Sequence, residues 1–78
     1  MKVLATYLTD EKELERNLNS IKFLIELNPE NVKLETDDNE CVGIATDAWI
    51  EYDHVVVEYD AQEKYKEELE KEGFKVLL

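Results

Sequence analysis

The feature that most limits what this chain can fold into is a segment with apolar residues at helical spacing. It directly follows a segment whose side chains alternate between two faces, as they do in a strand. Residues 2 to 8 alternate as in a β-strand that is buried on much of both faces. Thr9 or Asp10 can then cap a helix, with Glu13 three residues after Asp10 as in a capping box. Asn28-Pro29 ends this helix, because proline lacks an amide donor. The helical apolar positions are Leu14, Leu18, Ile21, Leu24 and Ile25.

Two hairpins are predicted after the helix, with two-residue turns at Asp38-Asn39 and at Asp53-His54. The first would pair Thr36 with Cys41, Leu34 with Gly43 and Val32 with Ala45, and would turn Lys33, Glu35, Asp37, Glu40, Val42 and Ile44 to the opposite face. The second would pair Tyr52 with Val55, Ile50 with Val57 and Ala48 with Tyr59, and would leave Trp49, Glu51, Asp53, Val56, Glu58 and Asp60 outward. Neither turn contains Asn-Gly or Asp-Gly, so the register between residues 32 and 60 stays open.

The last third of the chain predicts a helix and a terminal strand. Asp60 can cap this helix, Gly73 can end it, and residues 75 to 78 are apolar enough for a strand. The whole predicts a single α+β domain over residues 1–78, an antiparallel sheet with two helices packed on one face and the other face open to solvent. The predicted core is Val3, Ala5, Tyr7, Leu14, Leu18, Ile21, Leu24, Ile25, Leu34, Ile50, Val55, Val57, Tyr59, Leu69 and Phe74.

The segment from Val55-Val56-Val57-Glu58-Tyr59-Asp60 through Gly73-Phe74-Lys75-Val76-Leu77 resembles the last strand-helix-strand of ACT-like and other ferredoxin-like domains. The resemblance implies a ferredoxin-like order of strand, helix, strands, helix, strand. It also implies one possible function, a small regulatory module that dimerises and binds a small ligand. In that family the turn between the first strand and first helix binds the effector and often contains glycine. Here that turn is Thr9-Asp10-Glu11.

The rarer residue types argue against catalysis and against a metal or cofactor site. His54 and Cys41 are the only histidine and cysteine, which leaves no set of nucleophile, base and orienting group, so we expect no enzyme. At these positions Cys41 is expected to be a buried small side chain and His54 a turn residue. Clustered oxygens in Asp37-Asp38-Asn39-Glu40 suit calcium or magnesium, but the run lacks the glycine and distal glutamate of an EF-hand loop. We therefore expect no metal and no cofactor.

A single cysteine suits a reducing compartment, and no apolar run approaches the length of a membrane span. The sequence thus predicts a cytoplasmic protein. A domain of 78 residues buries only about 60% of its unfolded surface, so a homodimer interface is a possible further source of stability.

Charge is distributed very unevenly along the chain. The formal net charge is −11, and from Leu34 through Glu63 there is no Lys or Arg. This acidic interval contains Glu35, Asp37, Asp38, Glu40, Asp47, Glu51, Asp53, Glu58, Asp60 and Glu63. Direct binding to nucleic acid and to anionic membranes is disfavoured, because both depend on Lys and Arg.

Four pairs of acids in the acidic interval stand two residues apart, which on a strand places both carboxylates on one face about 6.6 to 6.8 Å apart. That spacing is comparable with the spacing of phosphates along a DNA strand. A charged solvent face that only confers solubility is the alternative, although solubility alone favours mixed signs. The sequence therefore predicts a non-enzymatic inhibitor that imitates nucleic-acid phosphates and blocks a basic nucleic-acid-binding protein.

In size and charge the chain is similar to the small acidic DNA-mimic proteins that phages and mobile elements use against host defence, including anti-CRISPR and anti-restriction proteins. The predicted partner-binding residues include one aromatic side chain among the acids, which suits an apolar anchor inside a polar rim. These residues are Glu35, Asp37, Asp38, Glu40, Asp47, Trp49, Glu51, Asp53, Glu58 and Asp60.

Overall fold

The computed structural model describes residues 1–35 and 39–77 and has an α+β fold, a five-stranded antiparallel sheet with two helices. The strands are β1 (Lys2–Leu8), β2 (Lys33–Glu35), β3 (Cys41–Glu51), β4 (His54–Ala61) and β5 (Lys75–Leu77). The helices are α1 (Leu14–Leu27) and α2 (Lys66–Lys71), and short 3₁₀ turns occupy Glu11–Glu13, Pro29–Asn31 and Glu63–Tyr65. The strand order is β2-β3-β4-β1-β5. No helix in the described ranges has the length and apolar character needed to cross a membrane.

Helix α1 ends where the sequence predicts, at Leu27, with Asn28 as its cap. Its start differs from a capping box. The Asp10 carboxylate accepts a hydrogen bond from the amide of Lys12 at 3.2 Å, as expected of a cap. This bond caps the 3₁₀ turn Glu11–Glu13 and not α1, which has no side-chain cap. The Glu13 carboxylate binds Arg16, so the predicted capping box does not form.

The first hairpin keeps the predicted pair Leu34–Gly43. The next pair is Glu35–Cys41 rather than Thr36–Cys41, because Val42 is an additional residue on β3 at a bulge. Val42 is buried in the core, whereas simple alternation predicted it on the opposite face. The predicted turn falls partly on Asp38, and Thr36, Asp37 and Asp38 lie outside the described residues.

The second hairpin turns one residue earlier than predicted, at Tyr52-Asp53. Tyr52 has a φ of 55°, the left-handed conformation that a tight two-residue turn requires, and its side chain is 97% exposed instead of facing the core. Ile50 consequently pairs with Val55, and Ala48 pairs with Val57. The register differs from the prediction by two residues, so Ala48, Ile50, Val55 and Val57 keep their predicted face.

Both helices pack on one sheet face, since Leu14 of α1 and Leu69 of α2 belong to one core cluster with inward residues of the central strands. Of the predicted core, Tyr7 and Leu24 are exposed. The half-buried members at its margin are Leu18, Ile21, Ile25, Ile50 and Phe74. The prediction missed Val42, Ala45, Ala48, Val56 and Ala61, all buried.

The predicted cap of the second helix is wrong. Asp60 remains within β4, because β4 continues to pair with β1 as far as Lys2–Asp60 and the amide of Ala61 donates to the Met1 carbonyl at 2.8 Å. Helix α2 therefore begins only at Lys66. Gly73 ends it with a φ of 97°, as predicted.

Candidate protein-binding surface

The sheet face opposite the helices has a small apolar centre surrounded by acids. Val56 on β4 lies between Trp49 on β3 and Thr6 on β1, and it is only 1% exposed although both described helices lie on the other face. Trp49 is half-buried, and its indole Nε1 donates to a carboxylate oxygen of Glu51 at 3.2 Å. The expectation of a sheet face fully open to solvent is therefore wrong at Val56. An aromatic side chain is held in place there by its neighbours.

Asp47 and Glu51 flank Trp49 on β3, two residues to either side. Alternation places these three side chains on one face, at intervals of about 6.6 to 6.8 Å between Cα atoms. We call Asp47, Trp49 and Glu51, with Val56 beside them, the Trp49 surface. Asp47 accepts a hydrogen bond from the Ala48 amide at 2.8 Å. Within the described ranges neither Asp47 nor Glu51 forms an ion pair. Asp47 also borders a shallow pocket with Lys22, Ile25 and Glu26 of α1.

Glu58 and Asp60 are neutralised in part by cations from the start of the chain. Lys2 Nζ lies 2.9 Å from Glu58 Oε1, and the Met1 ammonium lies 3.1 Å from Asp60 Oδ1. Thr46 adds a hydrogen bond from its hydroxyl to Glu58 Oε2 at 3.1 Å. The acidic interval lacks bases in the sequence, but β1 lies next to β4 and brings Lys2 beside it. The sequence prediction missed Lys2, because its position follows from strand order and not from local pattern.

The turn of the second hairpin adds a further side-chain contact. His54 Nδ1 lies 2.7 Å from Asp53 Oδ1, and both side chains are partly exposed. His54 is the first residue of β4, immediately after the turn, and pairs with Glu51. The predicted residues Glu51 and Asp53 therefore lie close together at this end of the sheet, next to the exposed ring of Tyr52.

The remaining predicted acids lie near the other end of β3. Glu35 is exposed on the edge strand β2 and pairs with Cys41, the first residue of β3. Glu40 accepts a hydrogen bond from the Tyr65 hydroxyl at 2.6 Å, and this bond to a carboxylate raises the pKa of Tyr65. Asp37 and Asp38 lie outside the described residues. The described acids thus lie along the whole of β3, with Glu35 and Glu40 near its start, the pair Asp47–Glu58 further along, and Glu51 and Asp53 at its end.

Cys41 and His54 lie near opposite ends of β3, too far apart to react together. Cys41 is exposed, contrary to the expectation of a buried side chain, and its thiol lies 3.6 Å from the Gly43 carbonyl oxygen. Cys41 begins β3, whereas His54 pairs with Glu51 at the other end, ten residues or about 33 Å of extended strand away. These two residues cannot act as a thiol and its base. Within residues 1–35 and 39–77, no three His, Cys, Asp or Glu side chains are grouped to bind a metal ion.

Comparison of the chain with family models, with curated proteins and with solved structures finds no match.

Proposed function

We propose that this protein is a non-enzymatic inhibitor that binds a basic nucleic-acid-binding protein and occupies the surface that would otherwise bind DNA or RNA. The observation that carries the proposal is the Trp49 surface, a half-buried aromatic side chain between two carboxylates that form no ion pair with the described residues. A fixed aromatic residue supplies contact area at low entropic cost, and the flanking charges steer a basic partner.

The distribution of charge supports a basic partner. The acidic interval carries ten of the twenty acids and none of the nine bases. Such a field attracts Lys- and Arg-rich surfaces and raises the rate of encounter with them. Because Glu58 and Asp60 already bind cations, we assign the contact to Glu35, Asp47, Trp49, Glu51 and Asp53 first. Protein components of CRISPR and restriction systems belong to the proposed class of target, and we place the encounter in the cytoplasm.

We propose that the α+β fold of this protein is a ferredoxin-like arrangement. Without the three-residue β2, the strand order is β3-β4-β1-β5, with α1 between β1 and β3 and α2 between β4 and β5. This order supports a second candidate function, an ACT-like regulatory module that dimerises and binds a small ligand. The turn Thr9-Asp10-Glu11 lends that function less support. It presents two acids, and the Lys12 amide is already bound by Asp10.

Competition with DNA tests the inhibitor. The immobilised protein is incubated with a panel of purified basic DNA-binding proteins, and retained proteins are eluted with a duplex oligonucleotide. The surface variant combines Glu35→Gln, Asp47→Asn, Glu51→Gln and Asp53→Asn, replacements that keep a side-chain oxygen as acceptor. The matched control removes four exposed acids elsewhere and has the same net charge: Glu11→Gln, Glu15→Gln, Glu30→Gln and Glu67→Gln.

The expected result is that duplex DNA releases the retained protein and that binding by the wild type weakens steeply with added salt. The surface variant loses this binding, and the control retains it. Trp49→Ala weakens binding with little change in its salt dependence, because the ring contributes contact area and not charge. Equal retention by the surface variant and the control would refute the proposal and leave the acids as a solubilising surface.

A further inference from the structure

Trp49 covers Val56 on the sheet face opposite the helices. The two residues pair across β3 and β4, and Val56 is only 1% exposed although both described helices lie on the other face. Of the two residues that pair with Val56, Thr6 is small and exposed, so the indole of Trp49 supplies most of this cover. A ring that lies across its cross-strand neighbour turns its second face outward, and part of Trp49 is indeed exposed.

Glu51 fixes the direction of this ring and places a carboxylate at its edge. The indole Nε1 donates to Glu51 Oε1 at 3.2 Å. A carboxylate has about four acceptor sites, so Glu51 can still accept hydrogen bonds from outside the chain. Within the described ranges Glu51 forms no ion pair. The Trp49 surface therefore presents an open aromatic face beside a negative charge.

The two cationic side chains of proteins do not fit this pair of groups equally well. A guanidinium is planar and weakly hydrated, so it stacks on an aromatic face and keeps its N–H bonds directed sideways, towards a carboxylate beside the ring. An ammonium is compact and strongly hydrated, and it has no flat face to lay on the ring. Charge attracts both, but shape favours the guanidinium.

We propose that the Trp49 surface binds an arginine side chain of its partner, with the guanidinium stacked on the open face of the Trp49 indole and donating to the Glu51 carboxylate. This inference rests on the proposed function, since it names the partner residue that the same surface contacts. Arginine binds phosphate through two parallel hydrogen bonds, so a nucleic-acid-binding site supplies such a residue. Glu51 then accepts the hydrogen bonds that a phosphate would accept.

Oligoarginine and oligolysine of equal length are the probes, because they carry the same charge and differ in the cationic group. Isothermal titration calorimetry of the full chain measures both affinities. The emission of Trp49, the only tryptophan, reports whether the bound peptide contacts the ring. Oligoarginine should bind about 2- to 30-fold more tightly and change this emission. Equal affinities, no binding of oligoarginine, or binding without a change in Trp49 emission overturns the inference.

Replacement of the ring tests the stacking. Trp49→Leu should lower the preference for oligoarginine below about twofold, whereas Trp49→Phe keeps an aromatic face and should keep part of the preference. The matched control is Phe23→Leu, the same kind of change at an aromatic residue that is 60% exposed on α1, and it should keep the full preference. A preference that survives Trp49→Leu, or that Phe23→Leu lowers equally, contradicts the stacking.

Dimethylated arginine tests the contact with Glu51. Methylation keeps the charge of the guanidinium but blocks paired hydrogen bonds. An oligopeptide of dimethylarginine should therefore bind the wild type about 2- to 5-fold more weakly than oligoarginine does. Glu51→Gln should reduce this difference, and the exposed control Glu67→Gln on α2 should preserve it. An equal difference in both variants contradicts the contact.

The two proposals fail separately. Retention of DNA-binding proteins that duplex DNA releases, together with equal affinities for oligoarginine and oligolysine, refutes the arginine contact and leaves the inhibitor. A preference for oligoarginine that depends on Trp49, without retention of any DNA-binding protein, supports the arginine contact and refutes the inhibitor.

Discussion

Leu69→Ala is expected to remove a large share of the stability of the domain. Leu69 is fully buried and is the only buried residue of α2, a helix of six residues that is too short to be stable by itself. Its carbonyl also accepts a hydrogen bond from the amide of Phe74 at 3.1 Å, which connects α2 to the chain that enters β5. The side chain therefore attaches both elements to the core.

The expected cost follows from the burial. Truncation of a buried leucine to alanine costs about 2 to 5 kcal/mol, and a domain of this length has a total stability of about 4 to 12 kcal/mol. At roughly 4 to 8 °C per kcal/mol, the melting temperature should fall by about 10 °C or more. Leu18→Ala is the comparison, because Leu18 is only half-buried at the margin of the core and should cost about half as much.

Urea unfolding followed by circular dichroism measures both free energies of unfolding. Leu69→Val, which keeps most of the side-chain volume, provides a folded reference if the alanine variant is too unstable to measure. The reasoning is wrong if Leu18→Ala costs as much as Leu69→Ala. A cost below about 1 kcal/mol for Leu69→Ala would show that α2 is not attached through this side chain.

Three further outcomes are expected. Burial, together with a hydrogen bond between the Tyr59 and Tyr7 hydroxyls, raises the pKa of Tyr59 well above its ordinary value. The unfolded chain therefore ionises first, and stability should fall as pH rises above about 10, a decline that Tyr59→Phe should reduce in pH-dependent urea unfolding. Gly43→Ala would bring a Cβ within 2.9 Å of the Asp60 carbonyl oxygen and should cost about 1 to 3 kcal/mol, whereas an unchanged unfolding midpoint would show that β3 and β4 can separate there. Cys41 is exposed and should react with a thiol reagent in the native protein, unlike a buried thiol, which reacts only after unfolding.

The sequence predicted the α1 helix and the facing of most strand residues, because both depend on local periodicity. Val42 and Tyr52 face otherwise, because a bulge and a turn interrupt the alternation there. The spacing from Leu14 to Ile25 and the break at Pro29 fix the helix, and Gly73 fixes the end of α2. Register was predicted less well, because it depends on where the chain turns. Tyr52 adopts a positive φ without the asparagine or glycine that would announce it. The bulge between Ala45 and Asp47 likewise has no local signal.

In the candidate site, too, local features were predictable from the sequence and features that depend on distant residues were not. Alternation along β3 was enough to predict Trp49 and Glu51 on one face, and the Trp49 indole donates to the Glu51 carboxylate. Asp47 was not placed by alternation, and the structure has a bulge between Ala45 and Asp47. The state of the Glu58 carboxylate was not predictable, since its partner Lys2 is distant in the chain and approaches only through the pairing of β1 with β4. Charge counted along a sequence therefore overestimates the negative potential wherever a distant strand supplies a cation.

The position of β1 between β4 and β5 determines the order in which this protein can fold. β1 pairs with β4 and with β5, and its partners in β4 lie 46 to 58 residues further along the chain. Closing loops of this length costs entropy before any pairing energy is gained, so sheet formation should be slow compared with formation of α1. Until β4 arrives, Val3, Leu4 and Ala5 are an unpaired apolar strand. A nascent chain that stops before residue 54 would therefore be prone to aggregate.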